Sequence, residues 1–421
     1  MSRSLKFALC IGLLASLAVV MASQLGVFDS LDFALSTRLE IGVALKALPL
    51  EAERILLLVL GVGMAYVTID VTRWSLRFLL VGILALELVF SSWLFGYFDR
   101  YFSPFAPLTV LAFAFLGASL YAVSNLGQRK RKAIQLLDAR LAPSGIHEVI
   151  ESDVPLPFEP RIDEASVLIL EVFNHEDLID QMSTKTYIEV LNRVLDTTAA
   201  HLLSEGAYLD QCDGEGVRAV FGLPLDDPNH AARACQAGLE LSRRLENLNL
   251  EIETEHHVQV DARMAVHSGE YIVAIYSGDR VQRLGVGGEP VDFARTLCQV
   301  NSRYGTRLLI GGRTLEMATN MAEARPVDLL SARDTGLPVE IYELIGTKAS
   351  ISAVEIARRD LFWDGVVLFR EGLLDEASEA FEKAKPVGRP DPLVEFYLQR
   401  IRRESKAKHQ KSVASSSLRD G

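Results

Sequence analysis

The sequence predicts an α+β protein in two parts: about four membrane-spanning helices, then a soluble domain built on a mostly antiparallel sheet. Three observations predict it. Apolar residues crowd into the first ~125 positions. Lysine and arginine gather beside particular ends of the apolar runs. From Ser166 to Gly346, short strand patterns alternate with amphipathic helix patterns.

The apolar runs are Phe7 to Phe28, Ile55 to Val71, Phe78 to Phe98 and Phe105 to Val123. Each is close to the roughly 17–25 residues that cross a bilayer core as a helix. The second is the shortest. The first reads as an uncleaved anchor, because no small-residue cleavage site follows it, although Arg3 and Lys6 ahead of it also fit a signal peptide. Arg129, Lys130, Arg131 and Lys132 follow the fourth run, Arg73 and Arg77 bracket the turn before the third, and Arg3 and Lys6 precede the first. With four spans, all three groups fall on one side, and positive charge marks that side as the cytoplasm. The expected location is therefore the inner, cytoplasmic membrane, with residues 1–124 as the transmembrane region and both ends inside. Glu87 lies within the third run, where a carboxyl is either a functional group or a structural acid paired to another helix.

Composition narrows the function. The chain has 421 residues, 49% hydrophobic and 23% charged, with a net charge of −12. Such an acidic chain lacks the basic face that phosphate backbones require, so general nucleic-acid binding is excluded. Its cysteines, Cys10, Cys212, Cys235 and Cys298, are scattered without a CxxC pair or a Cys/His cluster. Neither a zinc site nor a disulfide framework is expected.

Residues 125–160 read as a linker. A charged helix carrying Ile134, Leu136, Leu137 and Leu141 leaves the membrane, and Pro143, Pro155, Pro157 and Pro160 then interrupt it. Ser166–Val172 is a buried-strand run, and Leu178–Leu203 an amphipathic helix. Ala207–Asp210 and Val217–Phe221 form a hairpin around the turn-rich Asp213-Gly214-Glu215-Gly216. Pro228–Leu248 is helical. Val258–Val266 and Glu270–Tyr276 read as two strands broken at Ser268-Gly269. A helix over Val291–Val300 and a strand over Arg307–Gly311 follow.

The motifs on these elements resemble those of the class III adenylate/guanylate cyclases. They are Ala219–Pro224 with Asp227–Ala232, then His267–Glu270, Val286–Asp292, Tyr304–Thr306, and Arg325–Asp328 with Pro338–Leu344, all in the family's order. The resemblance implies a ferredoxin-like cyclase homology domain over 161–347 that pairs head to tail and shares each site between two subunits. It implies a purine nucleoside triphosphate as substrate. It also implies Mg²⁺ or Mn²⁺, because two divalent cations activate the ribose 3′-hydroxyl and clamp the triphosphate. The implied partner is a second copy of the chain, or an active cyclase in a heterodimer.

Carried over position by position, every family site residue differs here. The two metal-holding aspartates fall on Glu171, at the end of the opening strand, and Glu215, after the hairpin glycine. Both remain carboxylates, each one methylene longer, and solvated acids at strand ends are the plain structural alternative. The base-selecting lysine falls on Gln211 and its aspartate partner on Gly285. The transition-state asparagine falls on Asp292 and the arginine on Thr296, with Arg295 next door. A threonine cannot stabilise developing phosphate charge as a guanidinium does. The phosphate-cradling turn has become Asn174-His175-Glu176-Asp177, which adds two acids. The expectation is a membrane-bound signalling protein with a catalytically impaired cyclase-like domain, acting by dimerisation or by binding a nucleotide or partner. The alternatives are a divergent working cyclase that makes a 3′,5′-cyclic nucleotide, and a pseudo-subunit of a heterodimer.

Beyond this domain, residues 355–404 resemble one tetratricopeptide helix pair with a capping helix, through Phe362, Trp363, Gly365, Gly372, Ala377, Phe381 and Ala384. A single repeat cannot bury its own apolar face, so it is expected to pack on the cyclase-like domain. Residues 405–421 are polar and basic and read as a disordered tail. The topology is directly testable. A reporter fused after Arg140 should be active on the cytoplasmic side, and one placed within Leu39–Leu48 on the opposite side; an extracytoplasmic signal after Arg140 would refute four spans.

Overall fold

The computed structural model describes residues 3–38, 45–46, 48–71, 73–98, 100–124, 133–134, 136–152, 160–277, 282–331, 338–388 and 390–417. It divides into two compact units: Met1–Gln135 with Ile150–Asp153, and Leu136–Val149 with Val154–Gly421.

The first unit contains α1 (Arg3–Gln24), α2 (Asp29–Arg38), α3 (Leu50–Asp70), α4 (Trp74–Tyr97) and α5 (Phe105–Val123), with a two-residue parallel pairing of β1 (Leu45–Lys46) and β2 (Arg100–Tyr101). Four of the helices are long and apolar enough to cross a membrane: Leu5–Gln24 within α1, and α3, α4 and α5. Helix α1 ends before Phe28, because Gly26 takes φ +71 and turns the chain away. Helix α3 starts at Leu50 rather than Ile55; Glu51 and Glu53 suit its positive N-terminal end, so the run read as shortest is a 21-residue helix. Helices α1, α3 and α5 share a core around Ala8, Met64, Ala65, Leu111, Ala114 and Ala118. Gly12 lets α1 meet α3 backbone to backbone, since a Cβ there would fall 2.5 Å from the Val62 Cα. Helix α4 is the outlier: only Arg77, Leu88 and Ser92 are buried along it, and Glu87 is exposed.

Most of the expected linker helix, 125–132 and residue 135, lies outside the described residues. Pro143 does not interrupt a helix but begins one, α6 (Pro143–Glu151). At the first helical position a proline gives up no hydrogen bond.

The second unit is an eight-stranded sheet covered by helices. Its strands are β3 (Arg161–Val172), β4 (Tyr208–Asp213), β5 (Gly216–Phe221), β6 (Ala262–Ser277), β7 (Gln282–Gly287), β8 (Leu308–Gly311), β9 (Ala322–Ser331) and β10 (Pro338–Thr347). The order is β4-β5-β3-β6-β8-β10-β9, with β7 added beside β6. Strand β3 pairs antiparallel with both β5 and β6. The succession β3, helix, β4, β5, helix, β6 is the ferredoxin-like arrangement expected. Ala165, Val167, Leu168, Ile169 and Leu170 are all buried, which explains why β3 reads as an unbroken apolar run.

Several expected boundaries move. The single helix over Leu178–Leu203 is two, α7 (His175–Gln181) and α8 (Thr184–Ser204), because Ser183 caps a new start by accepting from the Thr186 N–H at 3.2 Å. Helix α9 (His230–His256) runs two turns past Leu248. Strand β6 is continuous through Ser268-Gly269, because β3 pairs with it residue for residue there. Helix α10 (Glu289–Tyr304) is longer at both ends than expected, and α11 (Gly312–Met317) was not expected.

The C-terminal helices are α12 (Ala353–Glu371), α13 (Leu374–Ala384) and α14 (Pro392–Ser417). Phe362, Phe381 and Tyr397 form their joint core, with Phe381 and Tyr397 stacked 4.8 Å apart. They are fastened to the sheet by Arg325 of β9. Its guanidinium bonds both Asp391 oxygens at 2.6 and 3.0 Å and the Glu343 carboxylate at 2.6 Å, and lies over the Phe362 ring. Helix α14 continues to Ser417, so the stretch from 405 read as a disordered tail is helical to that point.

Arg325 holds two mostly buried carboxylates. Arg325→Ala should lower stability by roughly 3 kcal/mol or more, since it strands both. Arg325→Lys should recover only part of that, because an ammonium lacks the planar fork. Thermal unfolding of the detergent-solubilised chain reads both.

Candidate functional site

Strand β3 delivers Glu171, and the β4–β5 hairpin delivers Gln211 and Glu215. Register sets the meeting: Glu171 lies opposite Gly216. At Gly216 φ is +153, and a Cβ would sit 2.0 Å from the Leu170 carbonyl oxygen. Any larger residue would lift the hairpin off β3. Asp213 organises the turn. Its Oδ1 accepts the Glu215 N–H at 3.0 Å, and its Oδ2 accepts the Gln211 side-chain amide at 2.8 Å. The Gln211 donor is therefore engaged within the hairpin.

The base of the hairpin is held by residues that the sequence reading missed. Asp210 is fully buried and accepts from the Arg218 guanidinium at 2.6 Å. The Arg140 carbonyl accepts the Leu209 N–H at 2.8 Å, and the Arg140 side chain donates to the Asp210 carbonyl at 2.7 Å. An acid directly after the apolar run Ala207-Tyr208-Leu209 was the available signal for the first. The Arg140 contact crosses 69 positions of sequence and left no local trace.

Helix α10 supplies the other half. It starts after Gly288, at φ +115, and carries Asp292, Arg295 and Thr296. Arg295 Nε lies 4.0 Å from Glu171 Oε1. Burial raises the Glu171 carboxyl above its ordinary range; Arg295 opposes this, and the neighbouring charge of Glu215 adds to it. The Thr296 hydroxyl donates to the Asp292 carbonyl of its own helix at 2.9 Å. The Asp292 side chain is exposed. Gly285, on β7, lies under a ring: a Cβ there would meet Tyr276 at 2.7 Å.

The altered turn after β3 works as a staple. Asn174 accepts the Asp261 N–H at 2.9 Å and donates to the Gln259 carbonyl at 2.8 Å. Glu176 and Asp177 fill the first turn of α7, where their charges suit the helix end and repel an anion.

Thus Arg295 and Glu215 both come within electrostatic reach of Glu171. Among the described residues, no hydrogen bond or ion pair joins Gln211, Gly285, Asp292 or Thr296 to that group. The described residues contain no group of three or more His, Cys, Asp or Glu that could hold a metal ion. Two carboxylates, one already facing a guanidinium, are a poor donor set for two hard divalent cations.

The raised Glu171 has a pH signature. The folded state keeps this proton longer than the unfolded chain, so the group erodes stability as pH rises through the window above about 4.5. Glu171→Gln lacks that loss. Its melting temperature should match wild type at pH below the window and exceed it at neutrality; a constant difference across pH would refute the assignment.

No family model matches the chain. Adenylate cyclase 1 of Rhizobium meliloti is 23% identical over 193 residues, which is 46% of this chain and 29% of that protein. The terminal-differentiation specific adenylate cyclase of Dictyostelium discoideum is 22% identical over 265 residues, 62% of this chain and 12% of that protein. The chain therefore spans less than a third of either relative. The solved structure of an adenylyl cyclase from P. aeruginosa is 18% identical, covering 46% of this chain and all of that one, with a TM-score of 0.42. With the motifs in order and the sheet in ferredoxin-like order, the chain carries a class III nucleotide cyclase homology domain, preceded by four helices fit to cross a membrane.

Proposed function

We propose that the protein is a membrane-bound signalling protein whose cyclase-like domain is impaired in catalysis and acts by dimerising or by binding a nucleotide or a partner. The side of the membrane proposed for the second unit is the cytoplasmic face of the inner membrane, a reading supported by the lysines and arginines beside the apolar runs. The observation that carries this is the pairing of Arg295 with Glu171. A cation supplied by the chain itself faces a carboxylate that a working site would offer to a metal. The remaining changes point the same way. Gln211 is engaged by Asp213, and the Thr296 hydroxyl by its own helix. Loss of one transition-state donor typically costs about 100- to 1,000-fold in rate. A homodimer repeats each defect in both sites.

The nucleotide class, by resemblance and by the names of the curated relatives, is a purine nucleoside triphosphate. The closeness of Glu171 and Glu215 favours one second reading, a divergent cyclase that takes Mg²⁺ or Mn²⁺ between them. The test is a binding and turnover assay on the full chain in membranes, with ATP and GTP and with either metal. Turnover should fall far below ~1 s⁻¹, a modest rate for an enzyme. Turnover at that rate or above overturns the proposal and makes Glu171 and Glu215 the metal ligands, with Arg295 as the phosphate clamp. A rise only on co-expression with an active cyclase would assign the protein as the impaired half of a heterodimer.

A further inference from the structure

Helix α4 carries a carboxyl where a membrane helix least tolerates one. Glu87 lies near the middle of Trp74–Tyr97, is exposed, and has no hydrogen bond or ion pair among the described residues. Ionisable groups inside a bilayer almost always face a bundle interior or a partner. The side of α4 turned toward its own bundle is already defined: Val81, Leu84 and Ala85 pack on the core of the unit, and Leu88 and Ser92 are buried. Glu87 stands about 100° away from Leu88 around the helix.

Exposure alone selects no stripe on α4, because most of its surface is open. Glu87 does select one. Leu76, Ile83, Phe90, Leu94 and Tyr97 are all exposed, and with Glu87 and the half-buried Leu80 they follow the alternating four- and three-residue spacing of a helix–helix seam. We propose that this stripe is the surface through which α4 pairs with α4 of a second copy of the chain. The choice of occupant follows from depth and symmetry. Two copies inserted with the same topology are related by a two-fold axis along the bilayer normal. Every residue then meets its own counterpart at the same depth. Two facing carboxyls that hold at least one proton between them share a hydrogen bond, so Glu87 is complementary to its own counterpart across that axis. No other residue of the stripe is polar except Tyr97, at the helix end.

The inference goes beyond the cyclase-like site and uses none of its residues. It needs only that α4 spans the membrane. In the full chain carrying Cys10→Ser and Cys212→Ser, single cysteines are introduced and oxidised in native membranes. Ile83→Cys, Phe90→Cys and Leu94→Cys sample the stripe; Leu86→Cys, Val89→Cys and Trp93→Cys sample the other faces. Covalent dimers should form about tenfold more readily on the stripe, and Glu87→Leu should remove most of that excess while Glu87→Gln, which still donates and accepts, keeps it. Leucine suits a membrane helix, so loss of pairing cannot be put down to failed insertion. Equal cross-linking at all the sites overturns the proposal, since association through the soluble unit alone produces no such periodicity. An unchanged pattern in Glu87→Leu overturns it as well.

Discussion

Pairing of β3 on both of its edges is the constraint on which the second unit depends. Twelve consecutive residues of β3 are matched with β6, and six of them with β5 as well. A strand held on both sides cannot slip, because a shift of one residue would turn Val167 and Ile169 out of one face and Leu168 and Leu170 out of the other. That fixed register places Glu171 opposite Gly216 and draws the hairpin tight against the Leu170 carbonyl. It also carries β6 straight through Ser268-Gly269 and presents its far edge to β7.

The site built on this frame compensates its own charges. Asp213 organises the turn, Arg295 faces Glu171, and Asn174 ties the end of β3 to the start of β6. The acids of α7 sit at the end of the helix that favours them. Each arrangement is locally sound, with polar groups matched to partners inside the chain. Asp292 stands outside this pattern, exposed to solvent on α10.

Much of this was legible in the sequence where local chemistry decides structure. The apolar runs marked the four long apolar helices, and Asp213-Gly214-Glu215-Gly216 marked the hairpin. The ordered motifs located the strands and turns of the sheet, since turn glycines such as Gly216 and Gly288 tie a motif to a geometry. The reading failed where a neighbour decides. Ser268-Gly269 looks like a break until β3 is seen alongside it, and Pro143 looks like a stop until it becomes the first residue of a helix. Ser183 divides a helix whose apolar period runs on either side of it. The encounter of Arg295 with Glu171 needs the sheet and α10 in place together, and no spacing in the chain encodes it. Six candidate positions could be named from sequence, but the contacts of each side chain could not.

The ring of Tyr276 over Gly285 couples these two positions. Any side chain at 285 would begin with a Cβ 2.7 Å from that ring, so it fits only if Tyr276 turns away. The two are diagonal neighbours on the β6–β7 ribbon, where Ala274 lies opposite Gly285 and Arg283 opposite Tyr276. The rotamer of one aromatic ring thus acts as a gatekeeper for what position 285 can carry.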